Sequence, residues 1–268
     1  MERFEGRVVA MTSAGAGIGE ATARRLSAEG ALLVVSDLSA ERAARLADEL
    51  TSNGAKAIGI PVNAGSEADC ARLIDTAIAE FGKLDVLVNV AGYGVNGTVT
   101  EVTSAEWHDV FSVVLDSVFY TSKAAIPHLL RTKGAIVNVA SISGLAGEYS
   151  SVAYTSAKAG VANLTRSLAL DYAAAGVRVN AVCPGTIATE TVSRVTKLPG
   201  IAEAFAEAIP MGRLGDAAEI ASTIAFLASD DASYITGSLI VADGGVTSAS
   251  GLPDMRTLGA GRGKTSEL

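Results

Sequence analysis

The feature that most constrains this chain is an alternation of short, valine-rich apolar runs with longer stretches of helical spacing. Apolar runs occur at 7–12, 31–36, 55–62, 85–90, 135–140, 177–182 and 238–242. Most are nearly continuous rather than polar at every second position, the pattern of strands buried on both faces. Helical spacing fills 18–29, 39–53, 66–81, 103–130, 152–175 and 216–229, with Gly30 and Gly54 placed as stops. Strands separated by helices point to a parallel sheet covered on both faces. The expected fold is α/β: one doubly wound domain whose parallel sheet has about seven strands.

Composition narrows the classes. Of 268 residues, 49% are hydrophobic and 19% charged, enough for one sizeable core and far from a disordered composition. The net charge of -8, with no basic stripe, argues against a nucleic-acid partner. No apolar span is long enough to cross a bilayer, and residues 1–6 carry charge rather than a signal core. A soluble, cytoplasmic protein with no membrane partner is expected. Cys70 and Cys183 stand far apart without metal-ligand spacing, so a reduced chain with no metal site is expected. No linker or repeat divides residues 1–249, which read as one domain with a lid at about 189–210, where Leu198-Pro199-Gly200 interrupts helical spacing. Residues 250–268 turn to Ser, Gly and charge and read as an arm or disordered tail.

Three stretches carry chemistry. The first apolar run ends in Thr12-Ser13-Ala14-Gly15-Ala16-Gly17-Ile18-Gly19, just before a helix. Glycines there let backbone approach a pyrophosphate, whose charge sits against the helix N-terminus. Asp37 closes the second run. A carboxylate at that point accepts from both hydroxyls of an adenosine ribose and repels a 2′-phosphate. With no Lys or Arg between Met11 and Gly19, NAD(H) is expected over NADP(H). A purely capping role for Asp37 competes, though Ser39 is available for that task. The third stretch is Tyr154-Thr155-Ser156-Ala157-Lys158 at the start of a proline-free, Ala-rich helix. Four residues apart on a helix, the phenol and the ammonium project side by side, and a nearby cation stabilises a phenolate. Standing alone, such a pair is more often a half-buried tyrosine beside a snorkelling lysine.

Together these stretches resemble the short-chain dehydrogenase/reductase family from about Phe4 to Val246. The ordered marks are the Gly-rich turn, D-V-L-V-N-V-A-G from Asp85 to Gly92, a serine ahead of Tyr-x-x-x-Lys, Pro184-Gly185 and Asp243-Gly244-Gly245. The resemblance implies a Rossmann-type fold, a nicotinamide cofactor, and hydride exchange between a secondary alcohol and a ketone. Carried over by position, it implies Tyr154 as general acid/base, Lys158 as the group that lowers its pKa and binds the nicotinamide ribose, and Ser141 as donor to the substrate oxygen, with Ser143 a competing candidate. It implies cofactor contacts at Ser13, Gly15, Gly17, Ile18, Gly19, Asp37, Asn63, Asn89, Ala91, Gly92, Pro184, Gly185, Ile187 and Thr189, besides Tyr154 and Lys158. It also implies a homotetramer. No anion clamp stands out, so a neutral alcohol or ketone is the expected substrate, with Tyr93, Val95, Tyr149, Val192, Leu198, Phe205 and Ile209 as candidate pocket residues.

The chain departs from the family pattern at four points. Ser13 stands where the turn's first glycine is expected; either serine tolerates the backbone there or Gly15 absorbs the demand. Asn63 replaces an aspartate expected to contact the adenine amino group, and its amide oxygen can still accept. Val90 replaces the second asparagine of N-N-A-G. Val114 stands where the family carries a catalytic asparagine, thought to hold a helix distortion whose freed carbonyl binds a water serving the lysine. Either the Val114 carbonyl still holds that water, or Ser112, Asp116 or Ser117 substitutes, or proton supply is impaired. The alternative function is therefore a nicotinamide-binding sensor or weakly catalytic homologue.

Overall fold

The computed structural model describes residues 2–250 except Thr196 and Pro199. The expected tail at 250–268 lies outside the described residues apart from Ser250. Seven strands form one parallel sheet in the order β3-β2-β1-β4-β5-β6-β7. They are β1 (Val8–Met11), β2 (Leu32–Asp37), β3 (Lys56–Pro61), β4 (Val86–Asn89), β5 (Ala135–Val139), β6 (Arg178–Pro184) and β7 (Leu239–Ala242). The helices are α1 (Gly17–Ala28), α2 (Ala40–Ser52), α3 (Glu67–Phe81), α4 (Ser104–Phe111), α5 (Ser117–Thr132), α6 (Val152–Tyr172), α7 (Glu190–Val195), α8 (Ile201–Ala208) and α9 (Ala217–Ala228). The doubly wound α/β expectation is met.

Side chains alternate across each strand, and the core divides accordingly. Val9, Met11, Leu33 and Val35 face α1, α2 and α9 through Leu26, Leu46, Ile220 and Ile224. Val8, Ala10 and Val34 face α3, α5 and α6 through Leu73, Ile74, Leu129 and Ala169. Both faces are covered, which is why the strands read as continuous apolar runs. The sheet order reverses at β1, which lies between β2 and β4, and the carboxyl ends of the strands there open the crevice where doubly wound sheets bind ligands.

Two stretches differ from their sequence reading. The single helix expected at 103–130 is broken. Thr103 starts α4 with a full capping box, but Ser112–Asp116 winds as a π turn before α5 begins. The lid region of weaker order contains two short helices, α7 and α8, separated by 196–200.

Candidate active site

The turn after β1 is shaped by close approach. Gly19 lies so near the preceding strand end that a Cβ there would sit 2.0 Å from the Ser13 carbonyl oxygen. A Cβ on Gly15 would sit 2.7 Å from both Asp37 Oδ2 and Arg42 Cβ. Gly17 has φ +56° and faces the Thr189 side chain, where an added Cβ would lie 3.2 Å from Thr189 Cγ2. Ser13 itself takes the left-handed conformation at φ +48°. Of the two possibilities raised by its sequence, serine bears the strain, at a cost of about 1–2 kcal/mol relative to glycine. Behind the turn, Thr12 Oγ1 accepts from the Val90 and Ala91 amides at 2.9 and 3.2 Å, pinning β1 to the end of β4.

The N-terminus of α1 has no side-chain cap, whereas Ser39, Ser66, Thr103 and Asp216 cap α2, α3, α4 and α9. Its free amides and positive dipole end face the glycine-lined hollow, the chemistry a pyrophosphate needs. Asp37 is half-buried above it, accepting from the Gly15 amide at 3.2 Å through Oδ2 and from the Ser39 amide at 3.0 Å through Oδ1. Ser39, not Asp37, caps α2, accepting from the Arg42 amide. The turn is not free of basic groups in space, although it is in sequence. Arg45 donates to the Gly15 carbonyl at 3.0 Å while paired with Glu20 and Glu49. These cradle residues fit a dinucleotide.

Other expected contacts divide. Asn63 is exposed, and its amide oxygen accepts from the Gly65 amide at 3.0 Å, closing a local turn. Asn89 is buried; its Nδ2 donates to Asn138 Oδ1 and its Oδ1 accepts from Thr121, while Asn138 donates to Thr165. This side chain ties β4, β5, α5 and α6 together beneath the site. Asn180 is likewise structural, bonded to Ile235 and Ser238.

The three residues expected to be catalytic gather at the end of β5 and the start of α6. Lys158 is 3% exposed and donates to the Val139 carbonyl at 2.6 Å. Burial pushes its ammonium down to about 8. Its Nζ lies 5.7 Å from the Tyr154 ring centroid. The Tyr154 phenol is raised above its ordinary range by burial; the Ser141 hydroxyl opposes that rise and the Glu148 carboxylate adds to it. The expected depression of Tyr154 by Lys158 is therefore not what governs it in this structure, where burial dominates. Ser141 Oγ accepts from the Ser143 amide at 3.1 Å, which leaves its own proton to donate. Ser143 thus supports Ser141 through its backbone, although both line the cavity.

The π turn bears on Lys158 from the other side. The Ser117 amide reaches back to the Ser112 carbonyl, and the bypassed Val113 carbonyl accepts from the Ser117 hydroxyl at 2.7 Å. Val114 is fully buried. A Cβ on Gly92 would lie 3.2 Å from Lys158 Nζ and 3.8 Å from Val114 Cγ2, so valine's methyl and the ammonium flank the same point. The distortion is present without an asparagine to hold it.

One cavity of about 1100 Å³ lies over Ser141, Tyr154 and Lys158 and meets the turn after β1 at Ile18, without Gly15, Gly17, Gly19 or Asp37 in its wall. Ser141, Tyr154 and Lys158 line it together with Ile18, Gly92, Pro184, Gly185, Ile187 and Thr189. Of the residues expected to shape a substrate pocket, Tyr93, Val192 and Phe205 line this cavity. Tyr149 is fully exposed and Leu198 largely so, Ile209 is buried beneath Gly244, and Val95 packs with Val114 and its neighbours. Glu148, Thr247 and Ala249 line the cavity without having been expected to. Among the described residues no cluster of His, Cys, Asp and Glu could hold a metal ion, and no helix is long and apolar enough to cross a membrane.

Comparison with known proteins places this geometry. A family model described as enoyl-(acyl carrier protein) reductase matches residues 13–247. The chain is 43% identical to meso-2,3-butanediol dehydrogenase of Serratia marcescens, covering 94% of this chain and 98% of the relative. It is 45% identical to cis-4-hydroxycyclohexanecarboxylate dehydrogenase of Sinomonas cyclohexanicum, over 92% and 98% of the two chains. Among solved structures, levodione reductase superposes with a TM-score of 0.87 at 34% identity, covering 92% of this chain and 99% of that one. The structure of gox2181 superposes with a TM-score of 0.89 at 30% identity, covering 93% and 99%.

Proposed function

The chain belongs to the short-chain dehydrogenase/reductase family, and within it we propose an NAD(H)-dependent enzyme that interconverts a neutral secondary alcohol and its ketone. The observation that carries this reading is the convergence of Ser141, Tyr154 and Lys158 on one cavity that reaches Ile18 at the start of α1. Relatives named for oxidation of a butanediol, a hydroxycyclohexanecarboxylate and cyclohexanol support the reaction class.

The α1 N-terminus would hold the cofactor's pyrophosphate, Asp37 its adenosine ribose, Lys158 its nicotinamide ribose, and Ile187 and Thr189 its carboxamide. When bound, the nicotinamide supplies or accepts the hydride. In alcohol oxidation Tyr154 takes the hydroxyl proton while Ser141 donates to the same oxygen; in ketone reduction Tyr154 returns the proton. Burial disfavours the phenolate, so Lys158 is needed as the positive charge that makes it accessible once its ammonium turns toward the site. The π turn is kept without the asparagine, its bypassed Val113 carbonyl taken up by the Ser117 hydroxyl, and Val114 of that turn lies near Lys158. That retained distortion favours an active enzyme over the sensor reading raised by Val114.

Asp37 supports NAD(H), because its carboxylate overlooks the cradle while Arg45 is already committed to Glu20 and Glu49. Initial-rate kinetics with both oxidised cofactors test the preference: kcat/KM is expected to be higher with NAD+, and equal or better efficiency with NADP+ would refute it. A homotetramer is proposed on family grounds, with Phe119 on α5 and Leu170 on α6 as exposed apolar contacts.

A further inference from the structure

Glu148 lies on the exposed loop 145–150, between the serine end of β5 and the start of α6. Its position makes it part of the same cavity wall as Ser141 and Tyr154. Among the described lining residues only two carry charge, Lys158 and Glu148. Lys158 is 3% exposed and held by the Val139 carbonyl, whereas Glu148 stands on an exposed loop. The charge presented to a substrate entering from solvent is therefore negative.

Glu148 makes no hydrogen bond or ion pair with any described residue, yet its charge is felt at the Tyr154 phenol. An unpaired carboxylate within electrostatic reach of the reacting oxygen works against the phenolate that alcohol oxidation requires. A substrate that brings its own hydrogen-bond donor to Glu148 would satisfy the carboxylate and reduce that penalty. A substrate carrying a carboxylate of its own would meet like-charge repulsion with no cationic side chain there to relieve it.

We propose that Glu148 sets substrate choice, selecting neutral alcohols that carry a second hydroxyl and rejecting hydroxy acids. This rests on the alcohol-dehydrogenase reading above. Selection of this kind acts on the ratio of kcat/KM between substrates, because only one of them leaves the site's polar group paired in the transition state. Tyr93, Val192 and Phe205 also line the cavity; they offer carbon contacts common to all such substrates and carry no charge to discriminate between them.

The test compares 2,3-butanediol, 2-butanol and 3-hydroxybutanoate with NAD+ in the wild type, Glu148→Gln and Glu148→Ala. The wild type is expected to favour the diol over the mono-alcohol, and the hydroxy acid is expected to trail the mono-alcohol at least tenfold, roughly the effect of one like charge in a partly solvated site. Glu148→Gln is expected to raise kcat/KM for the hydroxy acid about tenfold while retaining the diol preference, because an amide still accepts the hydroxyl. Glu148→Ala is expected to raise the hydroxy acid similarly and to lose the diol preference. If 2-butanol is oxidised but the three substrates keep their wild-type ratios in both variants, this proposal is overturned and the dehydrogenase reading stands. If the wild type oxidises no alcohol of a broad panel, both fall together.

Discussion

The two ends of the cavity are built from different materials. At the proposed cofactor end, next to the cavity at Ile18, backbone makes the site: an uncapped helix N-terminus, a carbonyl-to-glycine approach at Gly19, and a carboxylate over Gly15. At the substrate end, side chains on loops and short helices make it: Tyr93, Glu148, Val192 and Phe205. Backbone sites tolerate few residue types at fixed spacing. Side-chain sites tolerate many, provided the scaffold beneath them holds Ser141, Tyr154 and Lys158 in place. Ser141, Tyr154 and Lys158, the groups proposed to be catalytic, stand between the two, on or beside β5 and α6.

Substitutions at the two ends are expected to fail differently. Tyr154→Phe is expected to reduce kcat by about 10²–10⁴-fold, the range for loss of a general acid/base. Cofactor affinity, read by quenching of protein fluorescence, is expected to stay within a few-fold; a matched loss of affinity would erase the distinction between the ends. Gly19→Ala is expected to do the reverse. Its methyl has nowhere to go against the Ser13 carbonyl, so it is expected to weaken cofactor binding and lower stability by about 1–3 kcal/mol in denaturant unfolding.

Smaller effects sharpen the join. Ser117→Ala removes the hydroxyl that satisfies the Val113 carbonyl, and a reduction in kcat of about three- to tenfold with little change in KM is expected, from roughly one hydrogen bond. Unchanged kcat would place the π turn outside proton supply. Ser13→Gly relieves the left-handed serine and is expected to stabilise the protein by about 0.5–1 kcal/mol, offset in part by glycine's larger unfolded-state entropy.

Legibility followed the same division. The strands were visible because both faces are buried, and the turn at 12–19 because close approach excludes side chains. The break within 103–130 was not visible as a change of winding: Ser112, Val113 and Val114 carry no proline or glycine to mark it, and the asparagine associated with it is absent. The buried network of the Asn89 side chain is revealed only by the packed strands and helices. Arg45 reaches the turn from α2, thirty residues from Gly15, beyond any local scan for basic residues. Glu148 had no periodicity or motif to single it out; only the cavity wall brings it beside Tyr154.

The central claim is that Tyr154 exchanges a proton while hydride passes to or from nicotinamide. It is tested most directly by following the near-ultraviolet absorbance of reduced nicotinamide with NAD+ and a secondary alcohol across a pH series, then running the ketone reaction in reverse. Oxidation needs the deprotonated phenol, which burial and Glu148 hold above the ordinary range, so its rate is expected to rise with pH up to about 8, where Lys158 loses its charge, and to flatten or fall beyond, while reduction falls as pH rises. Cofactor binding without any absorbance change, at every pH and across a broad panel of alcohols, would contradict the claim and leave a nicotinamide-binding protein without this chemistry.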